Sequence, residues 1–178
     1  MLSSAVSSDL VVVGGGIVGA SVAYHAAQAG AVVDVVDAGR PGAGVTAASF
    51  GWIGASGVRT GPAAERRASA TQEYRRLEAE LPGLRVTWSG SLSWGAEDGA
   101  PEAGPGQENV DAATVVTLEP TLRQPPACAV WAPGDGAADP VGVIEHLLAG
   151  ACARGARVHP DTPVTAVRRD ARGSGCRG

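Results

Sequence analysis

Three adjacent glycines, Gly14–Gly16, follow a short apolar run near the start of this chain of 178 residues. The run Leu10–Val13 is apolar at every position, which is typical of a strand buried on both faces. Gly16–Ala29 places small apolar residues at helical spacing, and Gly30 follows where a C-capping glycine is expected. Ala31–Val36 is a second run, apolar at every position except Asp34. The sequence therefore predicts a strand, a glycine turn, a helix and a second strand, which together have the size of a βαβ unit.

The glycines fit the pattern G-x-G-x-x-G, with Gly14, Gly16 and Gly19 at the glycine positions. In this pattern the first glycine allows a tight turn, the second lets a pyrophosphate approach the backbone, and the third lets the helix pack closely on the strand. Asp37 lies 23 residues after Gly14, at the end of the second predicted strand, where a carboxylate can accept hydrogen bonds from a ribose diol. The pattern predicts a dinucleotide site and leaves NAD and FAD open, because both cofactors use this unit.

The composition argues against several classes of protein. The formal net charge of −4 gives no general attraction for nucleic acid, and all 14 basic residues are arginine, so no lysine can form a Schiff base. Cys128, Cys152 and Cys176 lack CxxC spacing and no histidines are paired, so we expect neither a disulfide framework nor a metal site. Residues 1–9 carry no basic residue ahead of an apolar stretch, and five glycines interrupt the apolar residues that follow. We predict a cytoplasmic protein without a membrane span.

Apolar spacing and capping residues predict three further helices. Pro62–Leu81 carries one apolar stripe between charged faces, and Asp111–Leu118 favours a short helix. Asp139 is interpreted as an N-cap with Pro140 at the first helical position, and this helix is predicted to continue to Gly155.

Short apolar runs between these helices predict further strands. Arg85–Trp88 and Ser91–Trp94 flank a serine–glycine pair and are predicted to form a hairpin. Ala127–Trp131 is a strand candidate, and Asp135 after it is interpreted as a turn residue. Thr162–Arg168 is predicted to be the third strand of a parallel sheet with the first two runs, which would leave that sheet incomplete.

Three blocks of sequence resemble a known family. They are "GGGIVGASVAYHAAQAGAVVDVVDAG", "RPGAGVTAASFGWIGA" and "GDGAADPVGVIEHLLAGACARGARVHPDTPVTAV". They are similar, in order from about Asp9 to Asp170, to FAD-dependent oxidoreductases of the D-amino-acid oxidase, glycine oxidase and sarcosine oxidase superfamily. The resemblance implies an α/β fold with a Rossmann-like FAD/NAD(P)-binding domain of the glutathione-reductase type, and the start of an α+β substrate domain.

The resemblance also implies how the chain is divided. Residues 1–61 would hold the FAD-binding βαβ unit and a cofactor loop, and residues 62–138 part of a substrate or cap domain. Residues 139–170 would return to the FAD-binding domain, and residues 171–178 would be an unstructured tail. Because full members of the family are longer, we expect this chain to be an N-terminal portion, without the arginine and tyrosine that usually hold a substrate carboxylate.

The resemblance assigns thirteen residues to FAD. The glycine turn would hold the pyrophosphate, and the end of the second strand would hold the adenosine ribose. The loop that follows would wrap the cofactor toward its flavin end. A valine near the end of the chain would contact the adenine end through its backbone. For Phe50 and Trp52, packing beneath the loop is an equally good interpretation. The assigned residues are Gly14, Gly16, Ile17, Val18, Gly19, Asp37, Ala38, Val45, Thr46, Phe50, Gly51, Trp52 and Val164.

The implied activity is oxidation of a C–N bond in an amino acid or secondary amine, with hydride transfer to flavin N5 and an imine product. No catalytic residue is assigned, and a complementing chain or a homo-oligomer is a possible assembly. One alternative is an NAD-dependent dehydrogenase, against which the long loop Gly39–Gly61 and the lack of lysine argue. The other is a nucleotide-binding fragment without activity, or half of a split enzyme.

Overall fold

The computed structural model describes residues 7–54, 62–95 and 102–167. The chain divides into two compact units, the first formed by residues up to Ala48 and from Val143 onward, the second by Ser49–Gly142. The tail predicted at residues 171–178 lies outside the described residues. In chain order the elements are β1 (Leu10–Val13), α1 (Ile17–Gln28), β2 (Val33–Val36), β3 (Trp52–Ile53), α2 (Pro62–Glu80), β4 (Ser91–Ser93), β5 (Glu108–Asp111), α3 (Ala112–Leu118), β6 (Cys128–Ala132), β7 (Gly136–Ala137), α4 (Pro140–Cys152) and β8 (Arg157–His159).

The first unit is built on a three-stranded sheet in the order β1-β2-β8, in which all neighbours are parallel. Leu10 is paired with Val33, and Asp34 with Arg157. The helix α1 buries one face made largely of alanine, and small side chains let a helix lie close to a sheet. Val33 and Val35 of β2 are fully buried. The predicted βαβ unit is therefore confirmed, although β2 begins two residues later than the predicted strand.

The prediction that β1 is buried on both faces is wrong for the described part of the chain. Val12 is buried, whereas Val11 and Val13 on the opposite face are 55% and 62% exposed. Side chains alternate across a strand, so α1 covers only one of the two faces. A continuous apolar run cannot show which of its faces is covered.

The predicted third strand at Thr162–Arg168 is also wrong: residues 162–167 form no strand, and Arg168 lies outside the described residues. The sheet uses β8 instead, because two side chains of β8 bind Asp34 of β2. Arg157 Nε donates to Asp34 Oδ1 at 2.7 Å, and His159 Nε2 lies 2.7 Å from the same oxygen. The Arg157 guanidinium, and then the Ser8 hydroxyl and His159, hold the pKa of Asp34 well below its usual range.

The second unit contains a two-stranded sheet, β3-β7, and a three-stranded sheet in the order β4-β6-β5, both antiparallel. The predicted hairpin is wrong, because β4 is paired with β6 and not with residues 85–88. That segment is held by α2 instead: Glu78 accepts hydrogen bonds from Val86 N at 2.8 Å and from Trp88 Nε1 at 2.7 Å. Thr87 forms an isolated bridge to Ala137. Residues 85–88 and β4, on the two sides of the serine–glycine pair, therefore bind different partners and do not pair with each other.

The predicted helices are confirmed, with small differences at their ends. α2 ends at Glu80, and α3 is capped by Asp111, whose Oδ1 accepts a hydrogen bond from Thr114 N at 2.9 Å. α4 begins at Pro140 after Asp139, as predicted, but ends at Cys152 rather than at Gly155. Within the described residues, no helix is both long enough and apolar enough to span a bilayer.

Candidate functional site

The glycine turn between β1 and α1 requires glycine at two of its positions, one because of its backbone conformation and one because a side chain would have no room. Gly14 has φ +96°, a conformation that residues with a Cβ rarely adopt. A Cβ at Gly19 would lie 1.9 Å from the carbonyl oxygen of Gly14 and 3.2 Å from Val12 Cγ1. Only a glycine at position 19 allows α1 to start this close to the turn, as the motif requires.

The N-terminus of α1 is open to an anion. Its N-cap is Gly16, which offers no side-chain hydrogen bond, and no acidic residue lies in the first turn. The Ile17 N–H donates to Thr46 Oγ1 over a long 3.4 Å. The first N–H groups and the dipole of a helix favour negative charge, so the position suits a pyrophosphate.

Asp37 joins the end of β2 to the glycine turn. Its Oδ2 accepts a hydrogen bond from Gly15 N at 2.6 Å, and its Oδ1 accepts one from Gly39 N at 2.9 Å. A Cβ at Gly15 would lie 2.8 Å from Pro41 Cβ and 3.3 Å from Asp37 Oδ2. Gly15 was not predicted from the sequence as a site residue, although its place as the middle of three glycines was a signal that this position also lacks space.

A cleft of about 400 Å³ opens beside the turn. Four residues that the resemblance assigns to FAD line it: Gly16, Asp37, Val45 and Thr46. The loop at residues 39–44 supplies the rest of the wall, including Arg40, whose guanidinium is 3.1 Å from Glu145 and largely exposed. The cleft lies within the size range of small-molecule sites. Its glycine backbone, open helix terminus and carboxylate suit the adenosine and pyrophosphate parts of a dinucleotide.

Other residues that the resemblance assigns to FAD do not line this cleft. Val18 and Val164 are exposed, and Ala38 follows Asp37 at the end of β2. Phe50, Gly51 and Trp52 belong to the second unit. Phe50 is 85% exposed, so it does not pack beneath its own loop, and Trp52 Nε1 donates to Asp135 Oδ2 at 3.2 Å.

Asp135 is more than the turn residue that the sequence analysis assigned. It is 5% exposed, and its Oδ2 also accepts a hydrogen bond from the Ser91 hydroxyl at 2.7 Å. A Cβ at Gly54 would lie 2.4 Å from the carboxylate, so the backbone of that glycine packs directly on it. No spacing in the sequence indicated these contacts, because the residues involved are far apart along the chain. Among the described residues, no group of three or more metal-ligating side chains is present.

Comparison with known proteins identifies the family of the chain. Residues 9–178 match the family described as FAD dependent oxidoreductase. The chain belongs to this family. Its cofactor is therefore FAD, which decides between the two cofactors that the glycine motif left open.

The similar proteins include enzymes that act on amino acids. Glycine oxidase of Bacillus licheniformis is 30% identical over 183 residues, which cover 92% of this chain and 48% of the relative. The crystal structure of glycine oxidase from Bacillus cereus has a TM-score of 0.79 at 22% identity, covering 93% of this chain and 49% of that one. L-Amino acid deaminase from Proteus vulgaris also has a TM-score of 0.79, at 15% identity, covering 93% and 42%. The chain thus has the fold of these enzymes and spans about half the length of the relatives it matches.

Proposed function

We propose that this chain forms the adenosine–pyrophosphate part of the FAD site in an enzyme that oxidises a C–N bond of an amino acid or secondary amine. The observation that carries the proposal is the open N-terminus of α1, which begins at the glycine turn beside the cleft. Membership of the family identifies the cofactor as FAD. The glycine turn provides the backbone N–H groups that can bind an anionic cofactor.

Different residues of the turn and the cleft would bind different parts of FAD. The backbone of Gly14–Gly19, with Ile17 and Val18 in the first turn of α1, would bind the pyrophosphate. Asp37 would bind the adenosine ribose, since each carboxylate oxygen that already accepts one N–H has a further lone pair for a hydroxyl. Val45 and Thr46 would close the cleft over the cofactor.

As part of the same proposal, residues outside the cleft that the family resemblance assigned to FAD would also contact it. Phe50, Gly51 and Trp52 would contact FAD toward its flavin end, and the backbone of Val164 would contact the adenine end. The high exposure of Phe50 supports this, because a bare phenyl ring is better explained by a bound partner than by local packing.

The substrate class is proposed from the relatives. Glycine oxidase, L-amino acid deaminase and L-proline dehydrogenase, which are among the similar proteins, are named for amino acid substrates. When bound, FAD supplies the acceptor for the hydride that leaves the substrate carbon, and the substrate is released as an imine that water hydrolyses. A cytoplasmic location and assembly with a complementing chain or a second copy stay predictions from the sequence.

Direct titration of the chain with FAD and with NADH tests the proposal. We expect FAD to bind and NADH not to compete, and we expect Gly19→Ala to weaken FAD binding by at least about tenfold, or about 1.4 kcal/mol. Gly134→Ala is the matched control, because a Cβ there would meet nothing within 4 Å and the residue does not line the cleft. Thr46→Val, which keeps the side-chain volume, should weaken FAD less. Tight binding of NADH without FAD, or unchanged FAD affinity in a folded Gly19→Ala chain, would contradict the proposal.

A further inference from the structure

A second cleft lies in the second unit, where β4 and β6 meet the end of α3. It has a volume of about 320 Å³, and its walls include the indoles of Trp94 and Trp131 and the carboxylate-bearing residue Glu119. Leu118 and Leu122 add aliphatic surface. No residue that lines it has been assigned to FAD, so the proposed function gives this cleft no role.

The indole of Trp131 is held in place by the sheet and by a glycine. Trp131 lies on β6, opposite Leu92 of β4, and is half-buried. A Cβ at Gly90 would lie 1.9 Å from Trp131 Cη2, so the ring rests directly on the backbone of that glycine. One wall of the cleft is therefore a fixed aromatic ring.

The second indole is open to solvent. Trp94 follows β4 and is 45% exposed, and the neighbouring Leu118 is 38% exposed. Tryptophan is highly buried on average, and exposed apolar side chains that adjoin one another mark binding surfaces more often than isolated ones do. The apolar lining is thus available to a ligand.

Glu119 contributes a negative charge that no arginine neutralises within the described part of the chain. Its Oε1 accepts hydrogen bonds from the backbone N–H of Thr121, at 3.3 Å, and from the Thr121 hydroxyl. These bonds fix the carboxylate and leave Oε2 without a partner among the described residues. This exposed carboxylate at the wall of the cleft is accordingly available to a cation.

A third tryptophan, Trp88, makes a cation–π contact with an arginine of the chain. The Arg75 guanidinium carbon lies 4.1 Å from the ring centroid of Trp88, and Glu78 Oε2 accepts the hydrogen bond from the Trp88 indole. In the described residues, no arginine covers Trp94 or Trp131, and the whole chain contains no lysine. Within the described residues, the faces of these two indoles are therefore without a cation.

We propose that this cleft binds a small organic cation, an alkylated ammonium group with an apolar body. The ammonium group would lie against the indole faces and pair with Glu119, and its alkyl groups would contact the leucines. Anions are disfavoured by the carboxylate and by the net charge of the chain. The site does not involve FAD, so binding should be the same in the presence and absence of the cofactor.

The test compares choline with its neutral isostere 3,3-dimethylbutan-1-ol, by calorimetry and by proton NMR of the ligand methyl groups. We expect choline to bind at least about tenfold more tightly than the isostere, because only choline gains the cation–π and carboxylate interactions. We also expect the choline methyl resonance to move upfield, because methyl groups over an indole face lie in its shielding region.

Two substitutions localise the binding. Glu119→Gln and Trp94→Leu should each weaken choline binding by about five- to tenfold, and Trp94→Leu should reduce the upfield shift. Glu65→Gln is the matched control, since it removes an exposed carboxylate of the same unit that does not line the cleft. Circular dichroism checks that every variant is folded. Equal binding of choline and the isostere, no binding by the parent chain, competition between choline and FAD, or unchanged affinity in Glu119→Gln would each overturn the proposal.

Discussion

Replacing Asp135 by alanine should strongly destabilise the second unit. The buried carboxylate accepts hydrogen bonds from Trp52 of β3 and from Ser91 of β4, and Gly54 packs against it. Alanine removes both bonds at once. It leaves a partly buried indole N–H and a partly buried hydroxyl without their acceptor, beside the buried position of the lost carboxylate.

The magnitude follows from the two distances. A hydrogen bond to a charged group contributes about 1.5–3 kcal/mol, and we give the 3.2 Å bond from Trp52 the lower value and the 2.7 Å bond from Ser91 about 2 kcal/mol. Asp135→Ala should therefore lower the free energy of unfolding by about 3–4 kcal/mol. Asp135→Asn keeps the volume and an oxygen that can accept both bonds, but this acceptor is neutral, so about half of that loss is expected.

Urea unfolding, followed by far-UV circular dichroism and by tryptophan fluorescence, measures the change. Asp111→Asn is the control, because asparagine is as good an N-cap as aspartate and the change should stay below about 0.5 kcal/mol. A double-mutant cycle with Ser91→Ala should give a coupling energy of about 1–2 kcal/mol. A loss below about 1 kcal/mol in Asp135→Ala, or no coupling to Ser91, would refute the reasoning.

Two further predictions concern the backbone and the pH dependence of stability. Gly51→Ala should destabilise the chain by more than about 1 kcal/mol in urea unfolding, because Gly51 has φ +69° and a Cβ would lie 2.0 Å from the Ala138 carbonyl oxygen; an effect as small as that of Gly134→Ala would contradict this. The pKa of Asp34 is lowered in the folded chain, so its ionised form contributes stability above its unfolded pKa of about 4, and this contribution is lost as the pH falls. The difference in unfolding free energy between the parent chain and Asp34→Asn should shrink from pH 6 to pH 2, and a difference independent of pH would show that Arg157 does not interact with the ionised form.

Local sequence signals predicted the parts of the fold that depend on neighbouring residues. The glycine turn, the alanine-rich helix and the cap at Asp139 each rest on contacts within a few residues. A Cβ at Gly19 would clash with Gly14, and this is why the G-x-G-x-x-G pattern requires a glycine there. The position of the turn could therefore be predicted from the pattern alone.

The parts that could not be predicted depend on pairs far apart in the chain. The choice of β8 as third strand rests on Arg157 and Asp34, which are 123 residues apart, and apolar periodicity does not encode such a pair. The same holds for Asp135, whose partner Trp52 is 83 residues away. The pairing of β4 with β6 was missed because Glu78 of α2 holds the preceding segment, and no local pattern indicates that contact.

The order of strands in the first unit also has a consequence for folding kinetics. β1 and β2 are synthesised early, but the partner of β2 on its other edge, β8, begins at Arg157. At about 5–20 residues per second, the ribosome needs about 6–25 s to add the chain between them. During this interval one edge of β2 has no native partner, while the second unit, whose described strands are paired among themselves, is synthesised and becomes complete in sequence before β8 is made. The nascent chain therefore carries a two-stranded sheet with an unpaired edge, and β8 joins it only by a late, long-range pairing.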